Sequence, residues 1–370
     1  MEFRPAEVKV NGGPVHLDGA AFLFPTGAEN RLERKKTMKK KWTALLLTGA
    51  MALSLTACGG QTTTTSSSGS SGETGSGDAT YTVGICQLAP HDALDAATQG
   101  FKDALTEALG DQVQFKEGNA GGEANNCTTI IDGFLSEGVD LILANATASL
   151  TAAASATADI PILGTAITNY GVALNLDSTE DKVLGGNISG TSDLAPLDQQ
   201  AQLLQEMFPD AENVGLLYCS AEPNSVFQVD TIQGYLEDMG YTCTQYAFTD
   251  VNDLASVTQT ACDNSDVIYI PTDNTAANNT ETIANVVLAA GVPVIAGESG
   301  ICSGCGVATL SIDYYELGQI TGQMAAKILT GEEDVSEMAI AYDTTLSKLY
   351  NADNCNALGI TVPEGYEPLA

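Results

Sequence analysis

Hydrophobic and polar positions follow two patterns along the chain, one typical of buried strands and one typical of amphipathic helices. Residues 81–86 predict a strand, and apolar residues then recur at helical spacing over 94–108. Further strand–helix pairs continue to a strand that opens at Pro161, and the same order returns over 214–295. Strands that alternate with helices of this length predict right-handed βαβ units and parallel sheets.

The repeated order predicts an α/β protein with two similar doubly wound parallel-sheet lobes. Open parallel sheets bind ligands beyond the carboxyl ends of their strands. Two lobes that face each other across those ends form a cleft that can close on a small solute. The residues that carry function are therefore expected on the loops that follow strands.

The amino-terminal part of the chain has the pattern of an export signal. A Lys-rich start at Met38 precedes a 14-residue apolar stretch, and a small residue then leads into Cys58, which resembles the lipobox of bacterial lipoproteins. We interpret 1–37 as an upstream extension from an overlong start site, 38–57 as a lipoprotein signal peptide and 58–80 as a flexible Ser/Thr/Gly tether. This predicts an extracytoplasmic protein that is anchored to the bacterial cell membrane by lipid on Cys58.

Charge is distributed unevenly and restricts the possible partners. The chain has 14 basic and 47 acidic residues, a formal net charge of −33. From Cys58 onward it has five Lys, no Arg and 42 acidic residues, which gives −37. A surface this acidic repels phosphate backbones and excludes nucleic acid as a partner. Phosphorylated ligands are also disfavoured, because no guanidinium is present to bind them.

Eight cysteines follow Cys58, and Cys302 and Cys305 form the one close pair. A zinc ribbon needs a second pair at matching spacing, and none exists, so no metal site is expected. A redox pair would normally open a helix. This pair is predicted in a Gly-rich loop, as a local disulfide or as loop thiols.

Sequence signals for catalysis or for a cofactor are sparse. The chain has no Gly-x-Ser-x-Gly elbow, no His-Glu-x-x-His, no Walker loop and no Gly-x-Gly-x-x-Gly after the first strand. Its exported part has one histidine, His91, with no Ser marked as a partner. We therefore expect neither an enzyme nor a cofactor, and a secreted hydrolase is disfavoured.

Several stretches carry a resemblance to a known family. They are 190–196 (Gly-Thr-Ser-Asp-Leu-Ala-Pro), 217–225, 269–274 (Tyr-Ile-Pro-Thr-Asp-Asn), 297–300 (Gly-Glu-Ser-Gly) and 312–318 (Ile-Asp-Tyr-Tyr-Glu-Leu-Gly). Together they resemble the ABC transporter substrate-binding proteins of the tryptophan/tyrosine-binding type, which have the type I periplasmic-binding fold. The resemblance covers roughly 81–340.

That fold implies a specific arrangement of lobes. Lobe 1 would comprise 81–190 plus 309–335, and lobe 2 would comprise 191–308 plus 336–370. Three crossover strands would form the hinge between them.

Two loops are the leading candidates for the two ends of an amino acid. Thr147 begins a predicted helix, whose free N–H groups and positive dipole end suit a carboxylate in a chain without Arg. Asp273 follows a buried strand and could pair with an ammonium group. Each has a plainer interpretation, because Thr and Asp are also common helix N-caps. Ser192 and Asp193 have the same two interpretations.

The other candidates lie on comparable loops. Thr165 and Thr168 could serve the same carboxylate, and His91 could instead simply precede the first helix. Scattered tyrosines, Tyr314 among them, could line the cleft. The predicted ligand-binding residues are Gln87, His91, Asn145, Ala146, Thr147, Thr165, Thr168, Ser192, Asp193, Asn224, Ser225, Thr272, Asp273, Asn274, Glu298 and Asp313.

The resemblance implies a solute-binding lipoprotein of an ABC importer. It would bind a small amino acid-like ligand, with an aromatic amino acid as the best match, and deliver it to the permease. Its expected partners are the permease and ATPase subunits and the membrane, and the protein is expected to be a monomer. The same fold could instead act as a surface sensor or adhesin, or bind another small solute such as a sugar or nucleoside.

Overall fold

A computed structural model describes residues 81–176, 182–343 and 345–369. The predicted signal peptide, the tether and Cys58 lie outside these residues. Within them, none of the helices is both long enough and apolar enough to cross a membrane. The predicted α/β class and the two parallel-sheet lobes are confirmed.

Strands and helices alternate along most of the described chain. The strands are β1 (Tyr81–Gln87), β2 (Val113–Asn119), β3 (Leu141–Asn145), β4 (Ile162–Ile167), β5 (Ile188–Ser192), β6 (Asn213–Cys219), β7 (Thr242–Phe248), β8 (Val267–Ile270), β9 (Val294–Ala296), β10 (Ala308–Ser311), β11 (Ala341–Tyr342), β12 (Ser347–Tyr350) and β13 (Glu367–Pro368). The helices are α1 (Asp92–Leu109), α2 (Ala124–Glu137), α3 (Thr147–Ala156), α4 (Tyr170–Leu174), α5 (Leu197–Met207), α6 (Pro223–Asp238), α7 (Val251–Cys262), α8 (Asn274–Ala277), α9 (Thr280–Ala290), α10 (Ser299–Gly304), α11 (Tyr314–Thr330) and α12 (Ala352–Leu358). Gly138 and Gly291 end α2 and α9 as left-handed C-caps with φ of 69° and 74°.

Each lobe is built on one sheet. The first sheet has the order β11-β5-β4-β3-β1-β2, and the second has the order β13-β12-β10-β9-β8-β6-β7. Neighbouring strands run parallel, except that β10 and β12 pair antiparallel with Ala308 opposite Tyr350. The antiparallel pair arises because β12 enters the second sheet from a crossover rather than from a helix of its own lobe.

Both sheets are covered by helices on their two faces, which explains the continuous apolar runs in their strands. In β3, Leu141 and Leu143 pack with α1 and α11, while Ile142 and Ala144 pack with α2 and α3. In β8, Tyr269 belongs to the core under α5 and α6, and its neighbours pack against α7, α9 and α10. The strand ends are thereby held rigidly, and these ends position the functional loops.

The chain crosses between the sheets three times, after β5, after β10 and after β11. Strand pairing places these crossovers two to seven residues beyond the predicted lobe boundaries. Residues 191–192 and 341–342 pair within the first sheet, whereas 309–311 pair within the second. The sequence motifs around each crossover indicate that the chain leaves a lobe. They do not indicate how many further residues still pair with the strands of that lobe before the chain crosses.

Helix α11 returns the chain to the first lobe and lies very close to α1. A Cβ atom added at Gly100 would lie 2.0 Å from the carbonyl oxygen of Tyr315, and one added at Gly318 would lie 2.1 Å from that of Ala97. Only glycine permits this approach of two backbones. The contact fixes the first residue of α11, Tyr314, at the cleft between the lobes.

The described cysteines are free thiols. Cys302 lies within the short helix α10 and Cys305 directly after it, so the predicted Gly-rich loop is wrong for this pair. The glycines at 300 and 304 belong to a helical turn that Glu298 caps, and both thiols are buried.

Candidate ligand-binding site

The carboxyl ends of strands from both sheets meet around a small space that we call the inner cavity. Its accessible volume is about 10 Å³, which is enough for about one water molecule. The residues that line it are His91, Ala93, Leu94, Ala166, Thr168, Asp193, Asn224, Thr272, Asp273, Asn274, Ala277, Glu298 and Tyr314. Both lobes contribute, so the cleft is nearly closed here.

A second and much larger space, the outer cleft, adjoins the inner cavity and offers about 910 Å³. On the first lobe its walls include 121–125 and the face of α3 that begins at Thr147. On the second lobe they include 221–224, 249–252, 274–275 and 278–279. Asn224 and Asn274 line both spaces, so the two meet at these amides.

Three buried carboxyl groups line the inner cavity, from Asp193, Asp273 and Glu298. None of the five lysines in the described residues lines it. Burial raises the pKa of Asp193 to about 6 and that of Glu298 to about 7. Burial, with the nearby charge of Glu222, raises the pKa of Asp273 to about 7. The cavity therefore favours a cationic group, which would stabilise the ionised carboxylates.

Asp273 and Glu298 serve as helix N-caps as well as lining residues. The two carboxylate oxygens of Asp273 accept from the backbone N–H groups of Cys219 at 2.7 Å and Ala276 at 2.8 Å. Glu298 accepts from the N–H groups of Gly300 and Ile301 at the start of α10. The alternative interpretation of Asp273 as an N-cap is thus correct, and it coexists with a position on the cavity wall.

Asp193 differs from the other two carboxylates because one of its oxygens has no partner. Its Oδ2 accepts a hydrogen bond from the hydroxyl of Tyr314 at 3.0 Å. Its Oδ1 is buried and, among the described residues, has no partner within hydrogen-bonding distance, although the Thr168 hydroxyl lies near enough to favour the ionised carboxylate. The side chain is only 4% exposed. An unpaired buried carboxylate oxygen is costly and indicates that a donor belongs beside it.

A hydrogen-bonded chain crosses the cleft from Glu222 to His91. The Nδ2 group of Asn274 donates to Glu222 Oε2 at 2.7 Å, and Asn274 Oδ1 lies 3.2 Å from His91 Nε2. His91 precedes α1 on the first lobe, whereas Asn274 opens α8 on the second. Burial lowers the pKa of His91 below its ordinary value.

Thr147 opens α3 and lines the outer cleft rather than the inner cavity. Among the residues that the structure describes, no side chain caps this helix, and its N-cap residue, Ala146, has φ of 82°. The first N–H groups of α3 therefore remain available at the cleft wall, where the helix dipole favours an anion.

The structure brings nine of the predicted residues to these two spaces, namely His91, Thr147, Thr168, Asp193, Asn224, Thr272, Asp273, Asn274 and Glu298. The other seven line neither space, and most of their polar groups are used inside the fold or at its surface, although the buried Oδ1 of Asn145 has no partner among the described residues.

On the first lobe, Gln87, Asn145 and Thr165 are buried supports. Gln87 bonds Ala89, Asp95 and Thr98, and the Asn145 amide donates to Leu94 and Thr98. Thr165 accepts from the hydroxyls of Thr191 and Thr321. Ala146 is buried and contributes only its backbone to the start of α3.

Ser192, Ser225 and Asp313 also support neighbouring groups. The Ser192 hydroxyl donates to the carbonyl of Thr168. The Ser225 hydroxyl bonds Asn224 and stabilises ionised Asp273. Asp313 is an exposed N-cap of α11.

Two residues of the site were missing from the predicted set of contacts. Tyr314 was suggested only as one of several scattered tyrosines, yet it holds Asp193. Glu222 lies in a family motif directly before Pro223, the first residue of α6, and accepts from Asn274, Thr275 and Asn224. Its position after β6, at the carboxyl end of a buried strand, could have indicated it.

Comparison with known proteins agrees with this architecture. The family model described as "ABC transporter substrate binding protein" matches residues 82–367. A Clostridioides difficile (strain R20291) protein named "Tyrosine-binding protein" is 32% identical over 279 residues, 75% of this chain and 80% of that protein.

Solved structures give the same result. An ABC domain from Streptococcus pneumonia in complex with L-Trp is 30% identical, has a TM-score of 0.73, and covers 78% of this chain and 100% of its own. The ligand-free, open structure of a Clostridium difficile substrate-binding protein with adhesive properties is 35% identical, has a TM-score of 0.61, and covers 78% and 99%. The chain belongs to the family of ABC transporter substrate-binding proteins.

Proposed function

We propose that the protein is an extracytoplasmic receptor that binds an aromatic amino acid between its lobes and delivers it to an ABC permease. The observation that carries the ligand class is the inner cavity, where, within the part of the chain that the structure describes, Asp193 keeps a buried, unpaired oxygen and no lysine lines the wall. Such a cavity accepts an ammonium group. Relatives described as tyrosine-binding and as bound to L-Trp support the aromatic side chain.

The two spaces suit the two ends of an amino acid. The inner cavity has room for about one small group, which matches an ammonium. The outer cleft, which adjoins it at Asn224 and Asn274, has about 910 Å³ for the rest of the ligand. In this arrangement the carboxylate lies at the amino terminus of α3 beside Thr147, where backbone N–H groups replace the missing Arg.

Lobe closure couples binding to delivery. The hydrogen bond between His91 and Asn274 joins the lobes, which is the arrangement expected of a closed form. The TM-score is higher with the L-Trp complex than with the open, ligand-free relative, although the latter is more similar in sequence. A closed empty cavity leaves three carboxylates without a cation, so an ammonium ligand stabilises closure and the permease receives mainly the loaded form.

Anchoring completes the proposed role. Lipid on Cys58 would hold the receptor at the outer side of the cell membrane, with 58–80 as the tether. We expect Cys58→Ser to move the protein from the membrane fraction to the soluble fraction without changing ligand affinity. Membrane retention of this variant would contradict only the proposed lipid anchor. It would leave the ligand assignment unaffected.

The ligand assignment is tested by calorimetric titration of the purified protein with tyrosine, tryptophan and phenylalanine. At least one should bind with a Kd below about 100 µM, which corresponds to about 5.5 kcal/mol. Tyramine, which lacks the carboxylate, and 3-(4-hydroxyphenyl)propanoate, which lacks the ammonium, should each bind at least tenfold more weakly than tyrosine. Binding of a sugar or nucleoside, with no response to the aromatic amino acids, would refute the proposal.

A further inference from the structure

We propose that His91 is a specificity-determining residue of the inner cavity. Its Nδ1 atom accepts a hydrogen bond from the ligand's ammonium group beside Asp193 Oδ1, and Glu222 and Asn274 hold its ring in the tautomer that permits this. The inference rests on the proposed function, because it requires an ammonium-bearing ligand. It adds a neutral hydrogen-bond acceptor, the ring of His91, to the proposed ammonium site. It also adds two residues, Glu222 and Asn274, that position this ring.

The first step is the state of Glu222, which is set by the donors around it. Its Oε1 accepts from the backbone N–H and the hydroxyl of Thr275, at 2.8 and 2.7 Å. Its Oε2 accepts from the backbone N–H of Asn274 at 3.1 Å, from the Asn274 side chain at 2.7 Å and from Asn224 Nδ2 at 3.2 Å. The two backbone N–H groups can only donate, so both oxygens of Glu222 act as acceptors whichever way the neighbouring side-chain amides are turned.

The second step fixes the amide of Asn274. Because Glu222 can only accept, the group of Asn274 that faces it must be the NH₂ group. The amide oxygen then faces His91 Nε2 at 3.2 Å. A carbonyl oxygen cannot donate, so Nε2 carries the proton and donates to it. In a neutral ring the other nitrogen, Nδ1, is therefore an acceptor.

The third step is that this acceptor has no partner. His91 Nδ1 is buried and, within the described residues, has no hydrogen-bond partner. The same is true of Asp193 Oδ1, and both residues line the inner cavity. Two unpaired buried acceptors around a space for about one water molecule match one group with at least two N–H donors. A primary ammonium meets this requirement.

The surrounding charges are consistent with a neutral ring. Burial lowers the pKa of His91, although Asn274 and the carboxylates of Glu222, Asp95 and Asp92 act in the opposite direction. From the other walls of the cavity, Asp193, Asp273, Glu298 and the hydroxyl of Tyr314 face the same space. A protonated ring would direct an N–H at the ammonium, so protonation of His91 should weaken binding.

The tautomer can be observed directly by NMR with ¹⁵N-labelled histidine. The chain has two histidines, His16 and His91, and a His91→Gln variant assigns the signals. In free protein we expect a protonated Nε2 and an unprotonated Nδ1. Addition of tyrosine should keep that tautomer and shift the Nδ1 resonance in the direction of hydrogen-bond acceptance. An Nδ1–H tautomer, an imidazolium in the complex, or an unchanged Nδ1 resonance would overturn the inference.

Asn274 is tested as a positioning residue by the same spectrum. Asn274→Ala should shift the two ring nitrogens toward a mixture of tautomers and weaken tyrosine binding by about fivefold to tenfold, the effect of one hydrogen bond. The matched control is Asn264→Ala, an exposed amide just after α7 that lines neither space, and it should leave the histidine signals unchanged. Retention of the pure Nε2–H tautomer in Asn274→Ala would contradict the positioning role.

Calorimetric titration of two His91 variants with tyrosine distinguishes the roles of the two ring nitrogens. Asn places its amide near the position of Nδ1, and Gln places its amide near that of Nε2. We expect His91→Gln to weaken tyrosine binding by about tenfold or more, and to weaken it more than His91→Asn does. The reverse order, with tyrosine still bound by wild type, would refute the inference and leave the proposed function standing. Failure of wild type to bind any aromatic amino acid would refute the proposed function itself.

Discussion

Asp193→Asn should change ligand affinity and ligand-free stability in opposite directions. The substitution keeps the size of the side chain and an acceptor for the Tyr314 hydroxyl, which lies 3.0 Å from Oδ2. It removes the negative charge from a side chain that is 4% exposed and has one oxygen unpaired. The charge is unfavourable in the empty cavity and favourable beside an ammonium group.

The structure sets the size of both effects. The pKa of Asp193 is about 6 against an ordinary 3.8. At pH 8 the protein therefore folds around an ionised group at a cost of about 3 kcal/mol. The free energy of unfolding without ligand should rise by about 1–3 kcal/mol in Asp193→Asn, because Asn is also a buried polar group. Loss of the charge-assisted hydrogen bond should weaken tyrosine binding by about 2–4 kcal/mol, about 30- to 1,000-fold in Kd.

The assay pairs urea unfolding without ligand and calorimetric titration with tyrosine, both at pH 8. Asp313→Asn is the matched control, because Asp313 caps α11 outside both spaces and Asn is an equally good cap. It should leave both quantities nearly unchanged. An Asp193→Asn variant that binds tyrosine within about threefold of wild type, or that unfolds more easily, would refute the reasoning.

Three further predictions address pH, backbone packing and thiols. Three cavity carboxyls have a pKa of about 6 to 7 without ligand. Tyrosine should therefore bind more tightly as pH rises from 5 to 8, and its binding should release protons. Over the same pH range the ligand-free protein should become less stable. Calorimetry in buffers of different ionisation enthalpy measures the protons, and net uptake would contradict this account. Gly318→Ala should lower the free energy of unfolding by about 3 kcal/mol, because its Cβ would lie 2.1 Å from the carbonyl of Ala97. Gly133→Ala, in a helix with nothing within 4 Å, should raise it by about 0.5–1 kcal/mol, and equal effects in urea unfolding would refute the close packing of α1 and α11. Alkylation of native protein followed by mass spectrometry should modify Cys243, which is half-buried, before the other cysteines after Cys58, and early modification of a buried thiol would contradict the packing.

The fold was largely predictable from local patterns. Two periodicities and the repeated strand–helix order were enough for two parallel-sheet lobes, because those patterns depend on neighbours in sequence. The antiparallel pairing of β10 with β12 was not predictable in this way, since it joins segments that reach the same sheet from different crossovers. The same limit applies to Cys302, whose flanking glycines suggested a loop although Glu298 caps a helical turn there.

The candidate site was predictable in position and less so in detail. Loops after strands did supply the cavity, as the general rule for open sheets requires. Whether a polar side chain at a strand end faces the cleft or the lobe depends on distant partners. Asp193 faces the cavity with a free oxygen because Tyr314, 121 residues away in sequence, holds the other one. Gln87 is directed inward because Thr98 and Asp95 on α1 engage its amide.

A crystal structure of the purified protein with tyrosine would show where each end of the amino acid binds. We expect closed lobes, with the ammonium nitrogen within about 3 Å of Asp193 Oδ1 and His91 Nδ1. We also expect the ligand carboxylate at the start of α3, beside Thr147. A ligand bound outside the cleft, or one in the reverse orientation with its carboxylate at Asp193, would contradict these expectations.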